Sequence, residues 1–353
     1  MTTITVKTSR TYDVVIGKGL LDSIGARLSG LIPPKSAVFL VSDDHVYPLY
    51  GETVCGALEA AGFTVFTHIA PAGERSKDAH RLTKLWLQLA DAGFTRSDCV
   101  VALGGGVIGD LAGFAAATYL RGIPYYQVPT SLLAMVDSSV GGKTAINLAA
   151  GKNLCGAFWQ PIEVLCDPAV LTTLPEDYLA DGMAEILKYG YIGNPALLEV
   201  LAGDIKNSME DVIARCVAHK RDIVEADERE SGIRRLLNLG HTAGHAIEKL
   251  SEHRIPHGHA VAIGMLLAAK AAVALSLCDE SLPAHMEGLL TRYGLDTVCP
   301  YRAEELARYA LLDKKRTGNH ITLILPTAIG KSVTYQIAAS ALTDFFLKGG
   351  APA

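Results

Sequence analysis

The chain of 353 residues is 49% apolar and 20% charged, with a formal net charge of −5 and a pI near 6.1. It is long enough to bury a large core and to form more than one domain, and too apolar to stay disordered. Its mild acidity gives no long-range pull toward nucleic acid or an anionic membrane, so the expected partner is a small molecule.

Residues 1–12 alternate apolar and polar side chains without the apolar block of an export signal, so no export is expected. Apolar, β-branched runs at 37–41, 63–69 and 99–103 then alternate with helical stretches at 50–61 and 78–92, the βαβ pattern of a parallel sheet. From about Leu174 the texture changes to helical spacing over 178–192, 209–226, 241–250 and 261–277, with Pro175 just inside a helix start. The expected architecture is an α/β Rossmann-like domain over 1–174 and an all-helical domain over 175–353, with the active site in the cleft between them. Residues 260–278 approach the length of a membrane span, but Lys270 interrupts them and no second such segment exists, so they read as a buried helix. Seven cysteines without a CxxC pair fit reduced thiols and a cytoplasmic location better than a disulfide framework.

The strand at 99–103 runs into Gly104, Gly105, Gly106, Val107, Ile108 and Gly109, followed by a helical stretch from Asp110 to Leu120. A GxGxxG turn between strand and helix lets the backbone approach a pyrophosphate and offers the helix N-terminal N–H groups to it; a tight structural turn is the alternative. No acid stands about 20 residues downstream to hold a ribose, where Pro124, Tyr125 and Tyr126 lie instead. Asp43, at the end of the preceding strand, could take that role or could be an ordinary turn residue. Gly141, Gly142, Lys143 and Thr144 are not a P-loop, because Asp137 occupies the position of its first glycine.

His241 and His245, four apart on a helical stretch, could ligate one metal ion, with His257 sixteen residues after the first. Glu185, on an otherwise apolar helix, is the candidate carboxylate for a site with open coordination positions. Spacing alone favours His241 with His245, against hydrogen-bonded or surface histidines; His219 and His253 read as solvated or structural. Arg121, Lys143, Lys152, Lys188 and Arg234 sit in apolar or glycine-rich surroundings, which suggests capture of phosphate or carboxylate, although each alone could pair with an ordinary acid.

GGGVIGD from Gly104, Arg121, QVPTSLL from Gln127, AMVDSSVGGKT from Ala134, Gly151 to Asn153, GMAEILK from Gly182, DERE from Asp227 and NLGHTAGH from Asn238 together resemble the 3-dehydroquinate synthase family over nearly the whole chain. The resemblance implies one divalent metal ion, zinc or cobalt, on Glu185, His241 and His257, with His245 turned to substrate, which revises the choice made from spacing. It implies NAD along Gly105, Gly106, Val107, Asp110, Thr130, Ser131 and Thr173, with Asp43, Glu74 and Lys77 near the adenosine and Lys143 and Lys152 adjoining. The implied substrate residues are Asp137, Lys143, Lys152, Asn153, Lys188, Lys220, Arg234, Asn238, His245 and a lysine of the 314–315 pair, with Lys314 the first choice. Arg121 would reach a neighbouring subunit, which implies a homodimer. The implied substrate is an anionic sugar phosphate, 3-deoxy-D-arabino-heptulosonate 7-phosphate, converted to 3-dehydroquinate and phosphate. His45, Ala72, Ser131 and Leu239 depart from the family pattern at the nucleotide rim and in packing. Another sugar-phosphate cyclase, a metal-dependent polyol dehydrogenase and a catalytically silent binding protein are the competing expectations.

Overall fold

The computed structural model describes residues 1–203, 205, 208–311, 316–317 and 319–353. In chain order the first elements are β1 (Thr2–Lys7), β2 (Thr11–Ile16), α1 (Ile24–Ser29), β3 (Ala37–Asp43), α2 (Glu52–Ala60), β4 (Thr64–Ala70), α3 (Ala79–Asp91), β5 (Cys99–Gly104), α4 (Gly106–Thr118), β6 (Tyr125–Pro129), β7 (Lys143–Leu148), β8 (Gly151–Phe158) and β9 (Glu163–Cys166). They are followed by α5 (Glu176–Ile192), α6 (Pro195–Leu201), α7 (Met209–Ala226), α8 (His241–Leu250), α9 (His257–Ala274), α10 (Ser281–Arg292), α11 (Ala303–Ala310), β10 (Arg316–Thr317), β11 (His320–Ala328), β12 (Lys331–Ala338) and α12 (Leu342–Lys348). Two compact units result, one of Met1–Leu174 with Met209–Arg229, the other of Pro175–Ser208 with Glu230–Ala353.

The first unit is built on a seven-stranded sheet in the order β1-β2-β9-β6-β5-β3-β4, parallel throughout except for the β1–β2 hairpin. β5 is buried along its whole length and β3 nearly so, which is why both read as continuous apolar runs and not as alternating ones. β3 leads to β4 on one side and β5 leads to β6 on the other, so the winding reverses between β3 and β5. The crevice past the C-terminal ends of such a strand pair is where parallel sheets take ligands. Val38 to Val41 pair with Cys99 to Ala102, a register that sets Asp43 level with Gly104.

One boundary expectation is corrected. α7, expected in the second domain, belongs to the first unit together with residues 227–229. Its apolar face, including Val212, Ile213, Val217 and Val224, is buried. Its acids, and Glu228 just past its end, grip the N-terminal hairpin: the Lys7 N–H donates to Glu225 at 2.6 Å, the Ser9 N–H and hydroxyl donate to Glu228 at 2.9 and 2.6 Å, and the terminal ammonium lies 3.1 Å from Glu210. Helical periodicity shows that α7 has a core face but cannot say which core receives it.

The second unit is mainly helical, as expected, and carries in addition a three-stranded antiparallel sheet, β10-β11-β12. The short apolar, β-branched run Ile321 to Leu325, bounded by Pro326, carried that signal. α9, the segment long and apolar enough to cross a membrane, is 78% buried inside this unit, against α5, α8, α12 and β11. A helix surrounded on all sides is apolar on all sides.

Glycines set how closely α8 and α9 approach. Gly240 takes a left-handed turn (φ 79°) at the start of α8, and a Cβ built on Gly264 of α9 would lie 2.0 Å from the Gly240 carbonyl oxygen. A Cβ on Gly258 would likewise lie 2.0 Å from the carbonyl of Asp181 on α5. Backbone cannot yield as a flexible side chain does, so Gly264→Ala is expected to destabilise the protein by about 1–3 kcal/mol. Urea unfolding measures this, and a midpoint equal to wild type would show that the two helices can separate without cost.

Candidate active site

In the first unit the glycine turn begins where β5 ends. Gly105 caps α4 without a side chain, and the helix starts at Gly106, so Gly106 and Val107 offer first-turn N–H groups with no intrahelical acceptor. Space is tightest at Gly106, where a Cβ would crowd Ser138 Oγ at 3.0 Å, while one on Gly105 would just touch Ser131 Oγ at 3.4 Å. The Thr130 N–H donates to the Gly104 carbonyl at 3.0 Å, which ties the end of β6 to the turn. The register places Asp43 beside it. One Asp43 oxygen accepts the N–H groups of His45 and Val46 at 3.0 and 2.9 Å, so the residue caps its own turn, while its second oxygen takes no hydrogen bond among the described residues. Thr173 stands exposed at the end of the Pro168–Thr173 turn with Oγ1 2.6 Å from the Tyr50 hydroxyl.

Charge in this unit is arranged in pairs. Buried Lys77 bonds Asp110, whose side chain is 19% exposed. Burial pushes the Asp110 carboxyl up from its usual range, against the opposing pull of Lys77. Buried Lys220 on α7 bonds the Asp137 carboxylate at 2.9 Å and also its carbonyl. Lys143, Lys152 and Asn153 lie on the antiparallel pair β7–β8, with Lys143 and Asn153 exposed and Asn153 left-handed at φ 53°. Arg121 is exposed in the turn Tyr119–Arg121 at φ 66°.

In the second unit Glu185 of α5, His241 of α8 and His257 of α9 converge, their ligand atoms all within 4.8 Å of one another. Glu185 is fully buried; among the described residues its Oε1 has no hydrogen-bond partner, and it lies 3.7 Å from His241 Nε2 and 3.5 Å from His257 Nε2. The other carboxylate oxygen bonds Lys188, itself 1% exposed. Each imidazole is held by its far nitrogen: His241 Nδ1 lies 3.1 Å from the Leu239 carbonyl and His257 Nδ1 3.0 Å from Glu248 Oε2. With Nδ1 donating, both Nε2 atoms face Glu185, the orientation in which each can bind a metal ion once its proton is gone. A buried carboxylate oxygen without a donor, faced by two imidazole nitrogens, fits a divalent cation such as zinc or cobalt and leaves coordination positions open.

His245, one turn along α8, has its ring 5.4 Å from that of His241 and 6.2 Å from that of His257. Arg234 is buried and Asn238 half-buried on the turn Ile233–Asn238 that leads into α8, and Asn238 Nδ2 donates to Glu230. Lys314 lies outside the described residues.

The family model described as 3-dehydroquinate synthase N-terminal matches residues 67–181, and that described as 3-dehydroquinate synthase C-terminal matches residues 182–316. The 3-dehydroquinate synthase of Synechocystis sp. is 45% identical over 350 residues, 96% of this chain and 95% of that one. The chain belongs to the 3-dehydroquinate synthase family. Among solved structures, 2-deoxy-scyllo-inosose synthase complexed with carbaglucose-6-phosphate, NAD+ and Co2+ is 26% identical with a TM-score of 0.86, covering 98% of this chain and 99% of that one. The 2-epi-5-epi-valiolone synthase of Streptomyces hygroscopicus subsp. jinggangensis, with NAD+ and Zn2+ bound, is 26% identical with a TM-score of 0.87 and the same coverage.

Within this family member, sequence reasoning overlooked Glu248 and Asp181. Glu248 stands three residues after His245 and seven after His241, a spacing that puts all three on one helical face and could have drawn notice. Asp181, buried one turn before Glu185, accepts the N–H of Gly258 at the first turn of α9 and so holds α9 to α5. Burial alone would push the His257 imidazole down, but the carboxylates of Glu248 and Glu185 outweigh it and hold it well above the usual histidine range. A cation bound at Nε2 must therefore displace a proton. Cobalt(II) affinity is expected to rise with pH by about tenfold per unit up to the folded pKa of His257 and to level off above it. A pH-independent affinity through the neutral range would remove His257 from the ligand set. Glu248→Gln leaves His257 without its orienting carboxylate and should weaken cobalt(II) binding by about 10–100-fold, read by chelator competition with circular dichroism unchanged.

Proposed function

We propose that the protein converts 3-deoxy-D-arabino-heptulosonate 7-phosphate to 3-dehydroquinate and inorganic phosphate, with NAD in the first unit and one divalent cation, zinc or cobalt, in the second. The observation that carries the reading is the Glu185, His241 and His257 triad beside buried Lys188, in a chain 45% identical to a 3-dehydroquinate synthase. When bound, the cation supplies Lewis acidity toward a substrate hydroxyl, and NAD takes and later returns a hydride, so elimination of phosphate and ring closure proceed without net redox change.

The chain's own residues do the rest. First-turn N–H groups of α4 and the close backbone at Gly105 and Gly106 hold the pyrophosphate, and Asp43 offers its second oxygen to the adenosine ribose. Glu74 and Lys77 flank the same end, while Thr130, Ser131 and Thr173 line the rim. Lys143, Lys152, Asn153, Lys188, Lys220, Arg234 and Asn238 bind the substrate's phosphate and carboxylate, which fixes the reacting carbons and balances charge as the phosphate leaves. Asp137 holds the Lys220 ammonium in place, and His245, next to the triad, orients a substrate hydroxyl. Removal of the proton beside the transient ketone is assigned to no side chain, because the departing phosphate can accept it.

The same reading makes the enzyme a homodimer in which exposed Arg121 serves the partner's site. A reducing cytoplasm suits its seven cysteines, none of which is paired among the described residues.

Phosphate release from the heptulosonate phosphate should require the divalent cation and stop with chelator, while absorbance at 340 nm stays flat. Bulk NADH would indicate a dehydrogenase, and no phosphate release would reject the reading. Glu185→Ala and His257→Ala should each abolish metal-supported turnover; activity retained at normal metal content would overturn the ligand assignment. Lys143→Ala should raise the substrate KM more than the Kd for NAD, and unchanged KM and kcat would contradict an anion-binding role.

A further inference from the structure

Asn147, near the end of β7, bonds in two directions at once. Its Nδ2 donates to Glu74 Oε1 at 2.7 Å, and its own backbone N–H donates to the Lys77 carbonyl at 2.7 Å. Its Oδ1 accepts the N–H of Asn153 at 2.9 Å, across the turn between β7 and β8. One side chain therefore joins the short segment Glu74–Lys77, on the nucleotide side, to the residue next to Lys152 on the substrate side. Asn153 sits at φ 53°, a left-handed conformation that non-glycine residues hold only where the surroundings fix it. The bond from its N–H to Asn147 is part of what fixes it there. An Asn suits the junction because it presents a donor to one carboxylate and an acceptor to one N–H in the same plane.

We infer that Asn147 is a positioning residue that couples nucleotide binding to substrate binding. NAD that settles Glu74 and Lys77 sets the Asn147 amide, and the amide sets Asn153 and the adjoining Lys152 for the substrate's anionic group. By linkage, an anion on Lys152 and Asn153 tightens NAD in equal measure. The role rests on the proposed placement of NAD and substrate.

Two variants separate the two arms. Asn147→Asp keeps an acceptor for the Asn153 N–H but turns a carboxylate toward Glu74; Asn147→Ala loses both bonds. With the cation present, NAD binding is measured by calorimetry without and with saturating inorganic phosphate, and the substrate KM is measured at saturating NAD. In the wild type, phosphate should tighten NAD by about fivefold or more, the lower end of typical coupling. Both variants should cut this to within about twofold, so that KM at saturating NAD rises by about two- to fivefold in Asn147→Asp through the lost coupling and by about tenfold in Asn147→Ala, whose Asn153 arm is gone as well. Both should unfold at the wild-type temperature. Wild-type coupling retained in Asn147→Asp, no coupling in the wild type, or KM raised equally in both variants would each overturn the role. An active wild type with variants that behave like it would reject Asn147 alone, whereas a wild type that releases no phosphate would reject the proposed function.

Discussion

A carboxylate oxygen buried without a donor is costly, and Glu185 Oε1 is such an oxygen. Two imidazole nitrogens face it at 3.5 and 3.7 Å, so whatever resolves its charge must sit among these three groups. A proton shared with His257 is one solution and a divalent cation is another; the two compete for the same nitrogen, which is how cation binding becomes linked to pH. Lys188 takes the second oxygen, and this keeps the carboxylate from rotating away.

Holding three helices to that arrangement requires close backbone approach. Gly240 and Gly264 allow α8 to lie against α9, and Gly258 allows α9 to reach the Asp181 carbonyl on α5. Asp181 then binds the Gly258 N–H, so the same contact that brings the helices together also fixes where His257 begins α9. Glu248 completes the support from α8 by holding the far side of the His257 ring. His257 is thus set from neighbouring helices, whereas Glu185 is held by Lys188 of its own helix and His241 by the Leu239 carbonyl just before α8.

The first unit arranges its charge differently, through backbone N–H groups and paired side chains. The glycine turn after β5 brings the first N–H groups of α4 to the C-terminal end of the sheet, where the strand order reverses beside Asp43. Lys77 offsets Asp110 at the same end of the sheet, and Lys220 reaches Asp137 only because α7 crosses back to this unit.

By itself the sequence determined the parallel sheet, the glycine turn and its helix, the mostly helical second part and, through motifs that run the length of the chain, the family. These follow from local periodicity and from residue types whose chemistry is legible without a partner. Spacing alone favoured His241 with His245, because neighbours on one helix are the only proximity a sequence displays directly; His257 entered through family resemblance. Tertiary structure decided that Nε2 of His257, from another helix, meets Glu185, and that Glu248 turns it there. It also decided that α7 packs on the first unit, since an apolar helical face says that a core exists but not which one. Burial of Glu185, the pairing of Lys220 with Asp137 and the two bonds of Asn147 likewise depend on distances between elements remote in sequence, and such distances exist only once the chain has folded.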